Sequence, residues 1–174
     1  AIILNSERED GDQILHVNNM SKSLDGEVLF SNLNLNVSKG DKIALIGKND
    51  LATSAFYDIL NGISKADGGD FHFGQTITTG YLPNENEEFF HEKQSLIDWL
   101  RQFSTNKDEV YVRGFLGKML FSGEETLKMA DVLSGGEKVR CMISRMMLRG
   151  GNFLMLDEPT NHLDLESIQA FNNA

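Results

Sequence analysis

The stretch that most constrains this chain runs from Leu133 to Asp164: LSGGEKVR, a segment of helical periodicity to Arg149, then FLMLDEPTNHLD. The first part opens a helix on Ser134, Gly135 and Gly136. Two glycines leave backbone N–H groups uncovered there, so a phosphate can come close and meet the positive end of the helix dipole. The second part ends the apolar run Phe153–Leu156 on adjacent carboxylates, Asp157 and Glu158, the arrangement nucleotide hydrolases use to hold Mg²⁺ and orient an attacking water. Each half alone is a weak signal. A Ser-Gly-Gly run is usually a loop entering a helix, and Asp-Glu after an apolar run is often a strand running out into solvent. Their occurrence together, in this order, points to nucleotide chemistry.

The size of the chain permits one domain, or one domain with a small lobe: 174 residues bury about 70% of their unfolded surface. Apolar runs such as Ile43–Ile46 and Phe153–Leu156 are far shorter than the ~18 residues a bilayer span needs. The opening AIILNSERED has no basic segment ahead of its apolar residues, so it does not read as a secretory signal, and a cytoplasmic protein is expected. The one cysteine, Cys141, has no internal disulfide partner and reads as a core or interface filler. A net charge of −10 argues against this chain itself gripping a nucleic-acid backbone, which needs clustered Lys and Arg. Any RNA contact would come from elsewhere in a longer protein.

In chain order, residues 1–12 read as an incoming linker. Ile14–Val17 and Val28–Val37 alternate as strands of a half-buried antiparallel sheet, with a turn at Ser21–Gly26. After a second turn at Ser38–Asp41, Lys42–Ile46 reads as a buried strand of a parallel sheet leading into Gly47. A helix is expected from Ser54 to about Leu60, with Phe56, Ile59 and Leu60 on one face and Asn61-Gly62 as its stop. Gly68–Leu82 alternates like a hairpin closing on Pro83. Charged helical segments follow, Ser95–Phe103 and Val110–Phe121 the clearest, and predict a helical lobe over about 86–132 inserted between two halves of an α/β core. Val139, Met142, Ile143, Met146 and Met147 recur at three-to-four spacing, a packing stripe rather than a cofactor box. A further helix begins after Asp164, and the domain, residues 13–174, reads as cut short at its C-terminus.

The loop after Ile46 runs Gly47-Lys48-Asn49-Asp50-Leu51-Ala52-Thr53-Ser54. Against the phosphate-loop pattern G-x-x-x-x-G-K-[ST], Gly47 and Ser54 match, while Ala52 replaces the second glycine and Thr53 the lysine. A lysine reaching the β- and γ-phosphates makes charge-assisted hydrogen bonds worth roughly 1.5–3 kcal/mol each, so its loss predicts ATP binding weakened by ~10–100-fold. Asp50 adds repulsion if its carboxylate faces the phosphates. Lys48 is a conceivable replacement cation, although its early place in the loop aims it outward.

LSGGE and FLMLDEP, so ordered, resemble the signature and Walker B motifs of ATP-binding-cassette (ABC) ATPases, and DEPTNHLD at Asp157–Asp164 is similar to the ABC-F family in particular. The resemblance implies an α/β P-loop NTPase of the ABC type: a mixed sheet core, an antiparallel β subdomain and an inserted helical lobe. It implies ATP and Mg²⁺ as ligands, bound by Gly47, Lys48, Asn49, Asp50, Ala52, Thr53, Ser54 and Ala55, with Ser54, Asn84 and Asp157 toward the metal. Glu158 would be the catalytic base, and Asp164 would lie in the loop that communicates between two cassettes of one polypeptide. Ser134, Gly135, Gly136 and Glu137 would contact ATP held by that second, N-terminal cassette. Departures cluster on the chain's own site. Leu24 stands where the family offers an aromatic to stack on adenine, Asn84 where it offers glutamine, and the γ-phosphate histidine would fall beyond Ala174. His162 is too early for that role; with His16, His72 and His91 it reads as structural or surface.

By the same resemblance the whole protein would act on the ribosome, as a translation factor or antibiotic-resistance protein, with no membrane partner. A nucleotide-binding subunit of a membrane transporter and a non-hydrolysing structural or regulatory cassette are the alternatives. The NHLD motif and the short lobe count against the first of these, and the retained Glu158 against the second.

Overall fold

The computed structural model describes residues 13–173; the expected linker at 1–12 lies outside them. The chain divides into two compact units, Ala1–Thr79 and Gly80–Ala174.

In the first unit, strands β1 (Gln13–Leu24), β2 (Glu27–Ser38) and β3 (Gly68–Phe73) form an antiparallel sheet in the order β2-β1-β3. Leu15, Val17 and Met20 turn inward from the central strand and are buried. The expected turn at Ser21–Gly26 contracts to Asp25-Gly26, because Lys22↔Phe30 and Leu24↔Glu27 keep the ladder paired almost to its end. Both turn residues adopt positive φ, 49° and 83°, as two-residue hairpin turns that match the strand twist require. Helix α1 (Asp50–Leu60) buries Ala52, Phe56, Ile59 and Leu60 on one face. It begins a turn earlier than its apolar face suggested, since Asn49 caps it by accepting from the Ala52 N–H. It stops where expected, at Asn61-Gly62, with Gly62 at φ 73°.

Two expectations for this part of the chain fail. Gly68–Leu82 is not a hairpin: β3 pairs with β1 through Leu15↔Phe73 and Val17↔Phe71, whereas β4 (Thr79–Leu82) pairs with β5 (Phe153–Leu156). Lys42–Ile46 is not a strand, and Ile46 is 88% exposed. An extended segment becomes a strand only through ladder bonds to a neighbour, and no described residue supplies them. An open, mostly apolar cavity of about 280 Å³ lies in the same unit, walled by Phe30, Leu35, Ile43, Leu45 and Phe56.

The second unit holds β4, β5 and helices α2 (Leu96–Arg101), α3 (Glu109–Lys118), α4 (Gly135–Arg149) and α5 (Leu165–Asn173). Ser95 and Asp108 cap α2 and α3 by accepting from the N–H groups of Asp98 and Tyr111. Helix α3 ends before the expected Phe121 because Leu120 turns left-handed at φ 69°. The Phe121 and Leu120 N–H groups then bond back to the carbonyls of Leu116 and Gly117, the six-to-one and five-to-two pattern that closes helices.

The core of this unit joins Trp99, Leu100, Leu116, Met119 and Phe121 to Met142, Ile143 and Met146 of α4, so the methionine stripe is packing, as its spacing suggested. Trp99 stacks on Phe90 at 4.8 Å between ring centroids and donates Nε1–H to the Phe89 carbonyl at 2.6 Å. The Arg145 guanidinium lies 4.8 Å from the Phe89 ring centroid and 4.5 Å from that of Phe103. Burial, with the neighbouring Arg149, lowers its pKa to about 10. Cys141 is buried, which pushes its thiol pKa upward and leaves it an inert filler.

Candidate functional site

The residues singled out from the sequence fall into three groups, one in the first unit and two in the second. The first is the loop from Gly47 to Ala55. A Cβ added to Gly47 would stand 3.0 Å from both the Asn49 carbonyl and Thr53 Oγ1, so the loop turns tightly enough there to favour glycine. Asn49 takes one of the N–H groups that a helix start could offer an anion, and Asp50 puts a carboxylate in the first turn. Ala52 is buried against the unit's core, whereas Lys48 and Asp50 are exposed. The geometry is that of a capped helix start whose nearest side-chain charges include a carboxylate.

The second group starts α4. Ser134 Oγ accepts from the Glu137 N–H, and Glu137 Oε1 accepts from the Ser134 N–H, each at 3.3 Å. This reciprocal pair satisfies two of the helix's orphan donors and leaves the Gly135 and Gly136 N–H groups at the open end. Lys128 Nζ lies 2.8 Å from Glu137 Oε2. Burial, the largest single influence on Glu137, raises its pKa, but the hydrogen bonds from Lys128 and Ser134 outweigh it and hold the carboxyl below its ordinary value. The hydrogen bond to Glu137 likewise raises Lys128. The ion pair offsets a negative charge that would otherwise repel an anion approaching this helix start. Nothing in the sequence spacing of Lys128 and Glu137 signalled the pairing.

The third group follows β5. Asp157 is 3% exposed, and its N–H donates to the Leu82 carbonyl at 3.0 Å. That bond places Asp157 and Asn84, two residues beyond Leu82, at the same end of the β4–β5 sheet. Glu158 is exposed at φ 50°. Its carbonyl accepts from the Asn161 N–H at 3.0 Å and its Oε2 from Asn161 Nδ2 at 3.3 Å. Asp164 Oδ1 caps α5 by accepting from the Ser167 N–H at 2.8 Å, and the Ser167 hydrogen bonds lower its pKa. Asn161 gave no signal of its own in the sequence, and His162, whose carbonyl lies over Gly136, read there only as structural or surface, because their roles depend on a turn with two left-handed residues.

The groups expected near a metal, the Ser54 hydroxyl, the Asn84 carboxamide and the Asp157 carboxylate, are oxygen donors, the set suited to Mg²⁺. Among the described residues no cluster of three or more His, Cys, Asp or Glu side chains could hold a metal.

A family profile described as ABC transporter matches residues 30–161, and the chain belongs to that family. Its fold is the ABC-type P-loop NTPase fold, an α/β architecture in which an antiparallel sheet accompanies the nucleotide-binding core and the helical lobe. The chain is 51% identical over 169 residues to the Bacillus subtilis protein named Uncharacterized ABC transporter ATP-binding protein YkpA, covering 96% of this chain and 31% of that protein. It is 30% identical over 167 residues to the Energy-dependent translational throttle protein EttA of Escherichia coli K12, covering 94% and 30%. A bacterial Atm1-family ABC exporter with ATP bound superposes with a TM-score of 0.79 at 17% identity, covering 94% of this chain and 32% of that one, which speaks to the fold alone. The chain thus spans about a third of the length of these curated relatives. It is an ABC ATP-binding domain, of a family whose domains bind ATP with Mg²⁺, work with a second cassette and are ATPases as a class.

Proposed function

We propose that this chain is a cassette of an ABC-F protein, spanning residues 13–174 after a linker at 1–12, with its helical lobe at about 86–132. It lends its signature helix to a partner cassette's ATP while holding its own nucleotide weakly. The observation that carries this reading is a contrast between two helix starts. At α4 the Ser134–Glu137 box is complete and leaves two glycine N–H groups at the open end. At α1 Asn49 caps the Ala52 N–H in the same way, but Asp50 and Leu51 follow the cap where α4 has its two glycines, and Thr53 stands in the lysine position.

In this reading Ser134, Gly135 and Gly136 contact the γ-phosphate of nucleotide held by the second cassette, and Glu137 completes the segment lent to that ATP site. On the chain's own side Gly47 to Ala55 form a weakened phosphate cradle. Ser54, Asn84 and Asp157 are the residues that would hold Mg²⁺, which would supply charge neutralisation on the phosphates. Glu158 accepts the proton of the attacking water, and Asp164 sits in the loop toward the partner. Retention of Glu158 speaks against a purely structural cassette.

The ABC-F assignment rests on the NHLD sequence and on similarity to a protein named a translational throttle. In this reading the protein is cytoplasmic and meets the ribosome through regions outside this chain; no described helix is long and apolar enough to cross a membrane. Co-sedimentation with ribosomes supports this assignment, and co-purification with membranes supports the transporter-subunit alternative instead. The decisive test of the contrast is ATP affinity of this chain beside the Ala52→Gly/Thr53→Lys double variant. The wild type is expected to bind more weakly than ~100 μM, and the double variant ~10–100-fold more tightly. Micromolar binding by the wild type with no gain in the variant overturns it.

A further inference from the structure

Gly135 and Gly136 open the same helix, yet differ in what stands over them. A Cβ built on Gly136 would lie 2.7 Å from the carbonyl oxygen of His162, while one on Gly135 would meet only His162 Cγ, at an ordinary 3.9 Å. His162 brings that carbonyl down by adopting φ 63°, a left-handed conformation that costs a residue with a side chain free energy and persists only where its surroundings demand it. The residue before it, Asn161, holds Glu158 twice, through its backbone N–H and through Nδ2. The Leu163 N–H closes the turn on the Thr160 carbonyl at 3.2 Å, and Asp164 anchors the far end as the α5 cap. The segment from Glu158 to Asp164 is therefore hydrogen-bonded at both ends, and its middle rests on bare backbone at Gly136.

We infer that Asn161 and His162 are positioning residues for Glu158, and that the absence of a side chain at Gly136 sets where they stand. The start of the signature helix and the aim of the Glu158 carboxylate are then mechanically linked within one cassette. A phosphate that prefers one placement of the Gly136 backbone also selects one placement of the base, since a ligand shifts an equilibrium by its differential affinity for the two states. The consequence for catalysis rests on the proposed roles of Glu158 and the signature; the packing link does not.

Hydrogen–deuterium exchange on this chain, without nucleotide, separates the two glycines. Both substitutions add one methyl group to the first turn of α4, and they differ in the His162 carbonyl. Gly136→Ala is expected to speed exchange across residues 157–164 by ~10-fold or more, with Gly135→Ala near wild type, because local opening follows lost packing. Equal responses of the loop to the two changes overturn the link. If Gly136→Ala fails to fold, His162→Gly tests it from the other side. Freeing the left-handed residue while keeping its carbonyl should raise exchange at the Glu137 and Lys138 amides, and unchanged protection there overturns the link. Asn161→Ala then reads the role in turnover: a shifted pH profile and lower kcat at unchanged KM support positioning, whereas a change confined to KM overturns it. Absence of ATP turnover in the wild-type protein with both cassettes present would strike the proposed function and leave the exchange result standing.

Discussion

Replacing Ser134 with alanine isolates the half of the capping box that belongs to the signature. The hydroxyl accepts from the Glu137 N–H at 3.3 Å, and losing an N-cap of this kind costs about 1 kcal/mol. The Glu137 carboxylate keeps its contacts with the Ser134 N–H and Lys128, so the loss should stop near that figure. For a unit the size of Gly80–Ala174, 1 kcal/mol lowers Tm by roughly 4–8 °C. The only tryptophan, Trp99, is fully buried in this same unit, so its fluorescence during urea unfolding reports the unit directly. Ser134→Thr keeps a capping hydroxyl and should recover most of the loss. Alanine and threonine variants with the same midpoint as wild type would refute the claim that this serine holds the helix start. If Ser134 also contacts a partner's nucleotide, Ser134→Ala should reduce ATP turnover of the paired cassettes far more than a 1 kcal/mol change in stability explains.

Glu137 has its folded pKa depressed, so the stability it contributes is present above its unfolded pKa, about 4.3, and is lost as pH falls through the lower folded value. Glu137→Gln should therefore remove part of the acid sensitivity of the second unit below about pH 5, read by Trp99 fluorescence; an unchanged acid limb would contradict the pairing with Lys128. Gly69 adopts φ 76°, and a Cβ there would meet the Asn18 and Asn19 carbonyls at 2.4 Å. Gly69→Ala should cost about 2–4 kcal/mol, visible as an early loss of β signal in circular dichroism while Trp99 fluorescence in the second unit responds less.

The elements legible from sequence were those whose cause is local. The helix start at Ser134 was legible, the turn at Ser21–Gly26 was legible in place though not in length, and the Val139–Met147 spacing specified which face of α4 packs. The fold class followed because the two motifs of the opening argument each lie on one element. The partner of a strand is not written in the strand. Nothing in Gly68–Leu82 says that β3 bonds back to β1 while β4 bonds to β5, and the apolar character of Lys42–Ile46 could not say whether a neighbour stands beside it. The same holds at the candidate site. The sequence located Asp157, Glu158, Ser134 and the eroded loop, but the Lys128–Glu137 pair, the Asn161 bonds to Glu158 and the His162 carbonyl over Gly136 arise only when separate segments meet. Short-range hydrogen bonds and periodicity are set by neighbours along the chain, whereas ladders, ion pairs and close backbone approaches depend on which surfaces folding brings together.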